Sequence, residues 1–325
     1  MRVLVSGGAG FLGSHLCDQL LQNGHSVIAL DNFITGRREN LAHLAGEQCF
    51  TLLEGDLCQA PLPDVEAIFH LASPASPEGY GRYPLETMLV NSTGTHRLLE
   101  LARAQGALFL LASTSEVYGD PLEHPQSEGY WGNVDPIGPR SCYDESKRFA
   151  EAVTTVYQQK YGVDARIVRI FNCYGPRSAP DDGRLIPNFV TQALHGEPIT
   201  VYGDGTQTRS LCYVSDLVRG LDLAMFRQGT RGQLFNLGNP DERTVLEYAR
   251  LVKEIARTPS SIVHVEPRPG EIARRCPDIG RARSQLGWSP TTPLEEGLRA
   301  TIDWFRDLLD APPASASSPG TATTV

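Results

Sequence analysis

Short apolar runs alternate, along the first half of the chain, with segments whose apolar residues recur at helical spacing. Residues 2–6 are mostly apolar at successive positions, as in a strand buried on both faces of a parallel sheet. Leu12, Leu16 and Leu20 then recur every four residues, and Asn23-Gly24 predicts the end of this helix. Further strands are predicted at residues 26–30 (followed by Asp31), 50–53, 67–71 and 107–111.

Two longer helices and another strand extend this alternation. Helices are predicted over residues 85–105 and 141–161, the second with Ser141 as N-cap, Asp144 as its partner and Gly162 as its stop. Residues 163–171 return to a strand pattern. The alternation predicts an α/β fold, a Rossmann-type doubly wound parallel sheet with right-handed crossovers. Beyond residue 172 the pattern loosens, with helices near residues 214–226 and 244–255.

Composition and charge narrow the class of protein. The chain is 41% hydrophobic and 21% charged, as in ordinary globular proteins. Its net charge of -9 argues against a nucleic-acid partner, and no apolar stretch is long enough to span a membrane. The seven cysteines are scattered without a C-x-x-C pair, so we expect reduced thiols and no metal site. A first strand that begins at Arg2 leaves no room for a signal peptide, and we expect a cytoplasmic protein.

A glycine-rich turn connects the first strand to the first helix. Gly7, Gly10 and Gly13 have the spacing that lets backbone N–H groups approach a pyrophosphate at a helix N-terminus. Asp31 ends the second strand, where a carboxylate accepts hydrogen bonds from the adenosine ribose and repels a 2′-phosphate. The pattern therefore favours NAD over NADP. Arg37 and Arg38 could pair with a 2′-phosphate; their alternative interpretation is a solvated helix start.

The candidate catalytic residues lie at the end of the fifth predicted strand and on the helix after it. Tyr143 and Lys147 are four residues apart and so share one face of a helix. Thr114 and Ser115 end a strand at the carboxyl edge of the sheet, where open α/β folds bind ligands. A neighbouring ammonium and a nicotinamide ring would favour the Tyr143 phenolate, which could then take a proton from a substrate hydroxyl.

Three stretches give the chain a family resemblance: residues 71–77 (LASPASP), residues 112–121 (ASTSEVYGDP) and residues 124–147, which end in YDESK. With the glycine turn and the Tyr–Lys pair, they make the chain similar to the UDP-glucuronic acid decarboxylases, also called UDP-xylose synthases, of the extended short-chain dehydrogenase/reductase superfamily. The resemblance covers residues 2–305. Ser6, Ser146 and Leu211 depart from the residues usual in the family.

The resemblance implies a reaction without net redox change. NAD⁺ takes a hydride from carbon 4 of UDP-glucuronate, and the carboxylate on carbon 5 is then β to a ketone and leaves as carbon dioxide. Protonation at carbon 5 and return of the hydride give UDP-xylose, with some UDP-4-keto-pentose as a possible released product. UDP-glucuronate and UDP-xylose are thus the expected small-molecule partners.

The resemblance also implies roles for individual residues. Tyr143, Lys147, Thr114, Ser115 and Glu116 are the expected catalytic residues, with Glu145 a weaker candidate. The expected cofactor-binding residues, besides Tyr143 and Lys147, are Gly7, Gly10, Phe11, Leu12, Gly13, Asp31, Asn32, Phe33, Thr35, Gly36, Asp56, Leu57, Leu71 and Ser73. The expected substrate-binding residues are Asn172, Arg184, Tyr202, Gln207, Arg209 and Arg275.

Arg275 is the residue expected to bind the substrate carboxylate, because a guanidinium matches a carboxylate bidentately. Its neighbour Arg274 is expected to be an ordinary surface arginine. On this interpretation, loss of Arg275 should reduce activity and leave thermal stability near that of the wild type.

By these patterns residues 1–171 form an NAD-binding Rossmann domain to which later segments return, residues 172–310 mainly a sugar-nucleotide-binding cap, and residues 311–325 a disordered tail. By family analogy we expect a homodimer through the helices at residues 85–105 and 141–161, because both carry apolar residues, Leu98, Leu101, Phe149 and Val153 among them; burial of these residues within the monomer is the alternative. The alternatives are another NAD-dependent 4-epimerase or 4,6-dehydratase, and a non-catalytic NAD-binding regulator.

Overall fold

A parallel sheet of seven strands forms the centre of the molecule. The computed structural model describes residues 1–267 and 274–310. The strands are β1 Arg2–Ser6, β2 Ser26–Asp31, β3 Phe50–Glu54, β4 Ala67–His70, β5 Leu108–Thr114, β6 Ala165–Ile170, β7 Cys173–Tyr174, β8 Ile199–Tyr202, β9 Thr208–Ser210, β10 Cys212–Tyr213, β11 Leu234–Leu237, β12 Glu242–Thr244 and β13 Ile262–Val265. The central sheet has the order β11-β6-β5-β4-β1-β2-β3. The order reverses between β1 and β4, which is where doubly wound folds bind dinucleotides. The predicted fold class is confirmed.

Helices cover both faces of this sheet and form a second layer beside its carboxyl edge. They are α1 Phe11–Gln22, α2 Pro77–Arg82, α3 Pro84–Leu89, α4 Thr95–Gln105, α5 Ser141–Tyr161, α6 Leu185–His195, α7 Val214–Phe226, α8 Val245–Ala256 and α9 Leu294–Asp310. One buried apolar cluster joins the sheet to α1 and α7, and another joins its opposite face to α4 and α5. A separate core lies between α6, α8, α9 and the β8–β13 pair. Among the described helices, none combines the length and apolar character that crossing a bilayer requires.

The single helix predicted over residues 85–105 is interrupted in the structure. Residues Val90–Gly94 form a π-helical turn between α3 and α4. A Cβ on Gly94 would lie 3.0 Å from Leu57 Cδ2, so glycine allows this turn to pack closely against the loop after β3. Apolar periodicity does not distinguish a π turn from an α turn, which is why the sequence predicted one continuous element.

Several predicted boundaries differ from the structure. Helix α5 begins at Ser141, and its N-cap is Arg140, which makes no side-chain capping bond. The prediction of Ser141 as N-cap is therefore wrong. Strand β5 runs on to Thr114 because it pairs with β6 as far as Ile170. The predicted tail, residues 311–325, lies outside the described residues.

One of the residues predicted for the dimer interface is in the monomer core. Leu98 is fully buried against the sheet, so it cannot contact a second subunit. Phe149 on α5 is 51% exposed, whereas Leu101 and Val153 are partly buried against the same core. Leu85 and Leu89 on α3 are also exposed. Within the two predicted interface helices, the exposed apolar residues therefore lie on α3 and on the outer face of α5.

Candidate active site

The glycine turn after β1 forms a cradle at the N-terminus of α1. Gly7 has φ of +76°, and a Cβ there would lie 2.7 Å from the backbone nitrogen of Ala72. A Cβ on Gly13 would lie only 2.0 Å from the Gly7 carbonyl oxygen. Within the described part of the chain, no side chain caps α1 and its first turn carries no acidic residue. The positive end of the helix is thus left for an anionic ligand, which fits a dinucleotide pyrophosphate.

Asp31 lies at the carboxyl end of β2 beside this cradle. Its Oδ2 accepts a hydrogen bond of 2.9 Å from the Ala9 N–H, and its Oδ1 accepts one of 2.9 Å from the Phe33 N–H. Burial raises the pKa of Asp31, and these backbone bonds oppose the rise. Each carboxylate oxygen keeps a further acceptor site for a ribose hydroxyl. Asp56 lines a small cavity that Asp31 also lines. Its carboxylate accepts a 2.8 Å bond from the Cys58 N–H, so Asp56 closes a turn as well.

Two adjoining cavities bring together nearly all of the predicted cofactor residues. The smaller, of about 140 Å³, is lined by Asp31, Asn32, Thr35, Gly36, Asp56, Leu57, Leu71 and Ser73, among others. The larger, of about 620 Å³, is lined by Phe11, Leu12 and Gly13, and both cavities are lined by Gly7 and Gly10. Phe33 is the exception, because it lines neither cavity. Its ring lies 4.1 Å from the Arg38 guanidinium, and its part in the site is the backbone bond to Asp31.

The two arginines that could favour NADP differ in their surroundings. Arg38 forms an exposed ion pair with Glu54, in addition to its contact with Phe33. Arg37 lines the larger cavity, with its Nε 3.7 Å from a Glu39 carboxylate oxygen.

Tyr143 and Lys147 lie on the buried face of α5, next to the end of β5. The Lys147 ammonium donates a 2.9 Å bond to the Ala112 carbonyl. Tyr143 is stacked on Tyr80, with ring centres 5.2 Å apart and planes 12° from parallel. Both reactive side chains and Thr114 line the larger cavity. The predicted catalytic residues on two different elements are therefore brought to one place.

Without the nicotinamide charge that the expectation from the sequence included, the surroundings of Tyr143 favour the neutral phenol over the phenolate. Burial raises the pKa of Tyr143, and a hydrogen bond with Thr114 only partly opposes the rise. Burial also lowers the pKa of Lys147 to about 7, with Glu151 opposing it. Tyr143 is thus neutral near pH 7 in the protein alone, and a bound positive charge such as a nicotinamide ring would lower its pKa.

A buried network of hydrogen bonds lies beside Lys147 and connects α5 to the π-helical turn. His70 lies between two hydroxyls, with Nδ1 2.9 Å from Ser6 Oγ and Nε2 3.0 Å from Thr95 Oγ1. Burial, together with the Lys147 charge, lowers the pKa of His70 to about 3, so the ring is neutral near pH 7. Asn91, in the π turn, donates 3.1 Å to the Ser146 hydroxyl. Ser146 therefore ties α5 to the π turn.

Glu116, in the short turn after β5, is held between two arginines. Arg275 and Arg140 each bond one of its carboxylate oxygens. Desolvation alone would raise the pKa of Glu116, but Arg275 and Arg140 outweigh it and hold this pKa below its ordinary value. Glu116 is therefore an anion near neutral pH. Asp144 lies 3.8 Å from Arg140, and burial with the nearby Glu116 charge raises its pKa to about 7.

Sequence reasoning missed Arg140 and Tyr80, which both line the larger cavity. Arg140 could have been noted as a cation immediately before the catalytic helix. The sequence carries no signal that Tyr80 stacks on Tyr143. Glu145, the weaker catalytic candidate, does not line the cavity and lies 3.7 Å from Arg148 on the surface of α5.

All six predicted substrate-binding residues line the larger cavity, although they come from four separate segments: Asn172, Arg184, Tyr202, Gln207, Arg209 and Arg275. Arg184 donates 2.8 Å to the Ala75 carbonyl, which ties the cap to the loop after β4. Gln207 donates 2.8 Å to the Tyr202 carbonyl. Arg275 is buried whereas Arg274 is exposed, as their predicted roles require.

One group of side chains of the types that bind metals lies beside the segment that carries Arg275. His124, Glu242 and Cys276 place ligand-type atoms within 4.8 Å of one another. His124 Nε2 is 3.0 Å from a Glu242 oxygen, and the Cys276 thiol donates to the Pro240 carbonyl at 3.5 Å. Each of these side chains has a hydrogen-bond partner in the protein, and the prediction of no metal site stays a prediction.

Comparisons with known proteins agree with this geometry. Residues 3–238 match the model of the NAD dependent epimerase/dehydratase family. UDP-glucuronic acid decarboxylase 1 of Arabidopsis thaliana is 52% identical over 308 residues, which cover 94% of this chain and 70% of that protein. The protein of the same name from Xenopus tropicalis is 50% identical over 309 residues, covering 95% and 73%. A solved structure of UDP-glucuronic acid 4-epimerase from Bacillus cereus, in complex with UDP-glucuronic acid and NAD, is 30% identical with a TM-score of 0.85, covering 95% of this chain and all of that one.

Proposed function

We propose that this chain, which belongs to the UDP-glucuronic acid decarboxylases of the NAD dependent epimerase/dehydratase family, converts UDP-glucuronate to UDP-xylose with bound NAD. One observation carries the proposal. A single cavity is lined by the glycine cradle, by Tyr143 with Lys147, and by a set of arginines suited to an anionic sugar nucleotide. These three parts are what the reaction needs within reach of one another.

The residues that would hold NAD are the glycine cradle and Asp31. The uncapped N-terminus of α1 suits the pyrophosphate, and Asp31 has acceptor sites for the ribose hydroxyls. When bound, NAD supplies the hydride acceptor and donor for carbon 4 of the sugar.

Tyr143 moves the proton of the carbon 4 hydroxyl. Its ring is fixed by Tyr80, and Thr114 is placed to hydrogen-bond the same oxygen. Positive charge in the complete site lowers the cost of forming the phenolate, which burial alone makes high. Lys147 is fixed by its bond to the Ala112 carbonyl and lines the same cavity as Tyr143.

Arg275, Arg140 and Glu116 recognise the uronate. Two guanidiniums and one carboxylate leave one net positive charge, which matches the single negative charge of a uronate carboxylate. Arg275 orients this carboxylate, and Glu116, being anionic, positions Arg275 and Arg140. Arg184 and Arg209 are suited to the diphosphate because a guanidinium binds two phosphate oxygens in one plane.

Mass spectrometry of the products from UDP-glucuronate, without added NAD, tests the proposal. We expect release of carbon dioxide and formation of UDP-xylose, with a minor yield of UDP-4-keto-pentose. Arg274→Ala, at an exposed position, is the matched active control. A product of unchanged mass would instead identify a 4-epimerase, and no turnover at all would favour a binding protein.

We also propose a homodimer, formed through the exposed apolar residues of α3 and α5. Leu85, Leu89, Phe149 and Val156 remain exposed in the monomer. Light scattering should give twice the chain mass of 35.5 kDa at micromolar concentration. A monomer mass would contradict this arrangement.

We place the protein in the cytoplasm, because free thiols are typical of a reducing compartment, and cell fractionation tests this.

A further inference from the structure

The segment Pro176–Ser178, which follows β7, lies at the wall of the larger cavity next to the glycine cradle. Arg177 and Ser178 line that cavity together with Gly10 and Phe11. Arg177 has φ of +68°, a conformation that a residue with a side chain rarely adopts. Such a conformation persists only where surrounding contacts hold it.

Those contacts come from α1 and from the 3₁₀ turn Arg38–Leu44. Asp18 on α1 lies between two basic side chains: one carboxylate oxygen forms an ion pair with Arg177, 2.7 Å from its Nη1, and the other is 2.7 Å from His43 Nε2. The Asp18 and Arg177 side chains are about one-fifth exposed, so solvent screens this pair less than a surface pair. We call Asp18, Arg177 and His43 the latch.

Bonds from two side chains to backbone carbonyls also hold Pro176–Ser178 next to the glycine turn. His15 Nε2 is 2.9 Å from the Pro176 carbonyl oxygen. Asn40 donates 3.0 Å to the Ala9 carbonyl of the glycine turn and, with a longer bond of 3.4 Å, to the Arg177 carbonyl. A single buried amide therefore connects the glycine turn with the segment that the latch holds.

We propose that Asp18 is a positioning residue that, through Arg177, fixes Pro176–Ser178 against the glycine cradle and so retains the dinucleotide from one turnover to the next. The inference rests on the proposed function, because a reaction without net redox change requires the same cofactor molecule to complete both halves. Opening of the latch would free this wall of the cavity, which would ease the loss of a dinucleotide seated in the cradle.

Opening of the latch during turnover would have a defined chemical consequence. UDP-glucuronate and NAD⁺ would then give UDP-4-keto-pentose, carbon dioxide and NADH. Two electrons move from carbon 4 of the sugar to the cofactor, the carboxylate carbon leaves as carbon dioxide, and the proton lost from the carbon 4 hydroxyl balances the one gained at carbon 5. Each leaked cycle leaves one protein without cofactor.

The test measures NAD retention without substrate, so that it does not depend on decarboxylation. Protein saturated with NAD is dialysed against cofactor-free buffer, and the bound dinucleotide is measured by mass spectrometry over time. We expect Asp18→Asn, which keeps the shape and removes the charge, to lose NAD about 5-fold faster than wild type, which corresponds to the roughly 1 kcal/mol of one partly exposed ion pair. Asp18→Glu should recover most of the retention.

Asp222→Asn is the matched control. Asp222 on α7 accepts a 3.0 Å bond from Asn23 at the end of α1, far along the helix from the cradle. This variant should retain NAD like the wild type. Equal retention in Asp18→Asn and wild type would overturn the inference, and so would equally fast loss in Asp222→Asn, which would indicate general loosening of α1.

A second variant covers the case in which Asp18→Asn fails to fold. Arg177→Gln removes the other partner of the ion pair and should accelerate NAD loss to a similar extent. In the double variant the two effects should not add, because both remove one interaction. Additive effects would contradict the latch. With UDP-glucuronate and saturating NAD, released NADH and UDP-4-keto-pentose should rise in equal amounts in the variants. Rapid NAD loss in the variants, together with no turnover by the NAD-saturated wild type, would support the latch and contradict the decarboxylase proposal.

Discussion

Replacing Arg275 by alanine removes a buried guanidinium that bonds Glu116 and donates 3.3 Å to the Gly119 carbonyl. If this guanidinium orients the substrate carboxylate, Arg275→Ala loses one charged hydrogen bond in the transition state. We expect kcat/KM for UDP-glucuronate to fall at least ~10-fold, equivalent to about 1.4 kcal/mol. The assay is initial-rate kinetics with saturating NAD, and Arg274→Ala is the control.

The structure changes the expectation for stability. Removing one partner of a buried ion pair costs about 3–5 kcal/mol when the other charge is left alone. Arg140 still pairs with Glu116 in the variant, so we expect a smaller loss of about 1–3 kcal/mol in the free energy of unfolding. The earlier expectation of unchanged thermal stability treated Arg275 as a residue that contacts only substrate.

The sign of the pH dependence follows from Glu116. In the wild type its folded pKa is depressed, so it contributes stability above its unfolded pKa of about 4.3, and this contribution is lost as the pH falls through the folded value. In Arg275→Ala only Arg140 opposes burial, so the folded pKa rises and the contribution shrinks. The deficit in unfolding free energy should thus be larger at pH 7 than near pH 4, as measured by urea denaturation.

Two results would refute this reasoning. Full activity of Arg275→Ala would show that the uronate carboxylate is held elsewhere, and loss of activity only in Arg274→Ala would show that the wrong arginine was assigned. A stability deficit that does not change with pH would contradict the charge coupling between Arg275 and Glu116.

Three further predictions concern the cofactor and the base. Tyr143→Phe keeps the ring stacked on Tyr80 but removes the proton acceptor, and turnover should fall at least ~100-fold, the scale of general acid–base catalysis; wild-type turnover would contradict the assignment. Heat-released supernatant of purified protein should contain NAD(H) by mass, whereas NADP would show that Asp31 was misinterpreted. Gly13→Ala would place a Cβ 2.0 Å from the Gly7 carbonyl oxygen, so NAD content should drop below detection after gel filtration, and full occupancy would show that the turn can rearrange.

The sequence by itself determined the features that depend on local spacing. The strand–helix alternation predicted the parallel sheet, because buried strands and amphipathic helices have different apolar periods. The glycine spacing predicted the cradle. The structure shows why glycine is needed there, because a Cβ on Gly7 or Gly13 would overlap backbone atoms. The four-residue spacing of Tyr143 and Lys147 placed both on one helix face.

Only the tertiary structure decided which distant residues meet and how strongly they are buried. Arg275 reaches Glu116 across 159 positions of chain, and Arg177 reaches Asp18 from another segment, contacts that no local pattern encodes. Burial raises the pKa of Tyr143, and the packing of α4 against the sheet places Leu98 in the core. The physical reason is that desolvation and charge coupling depend on all surrounding elements, whereas periodicity and spacing describe one element at a time.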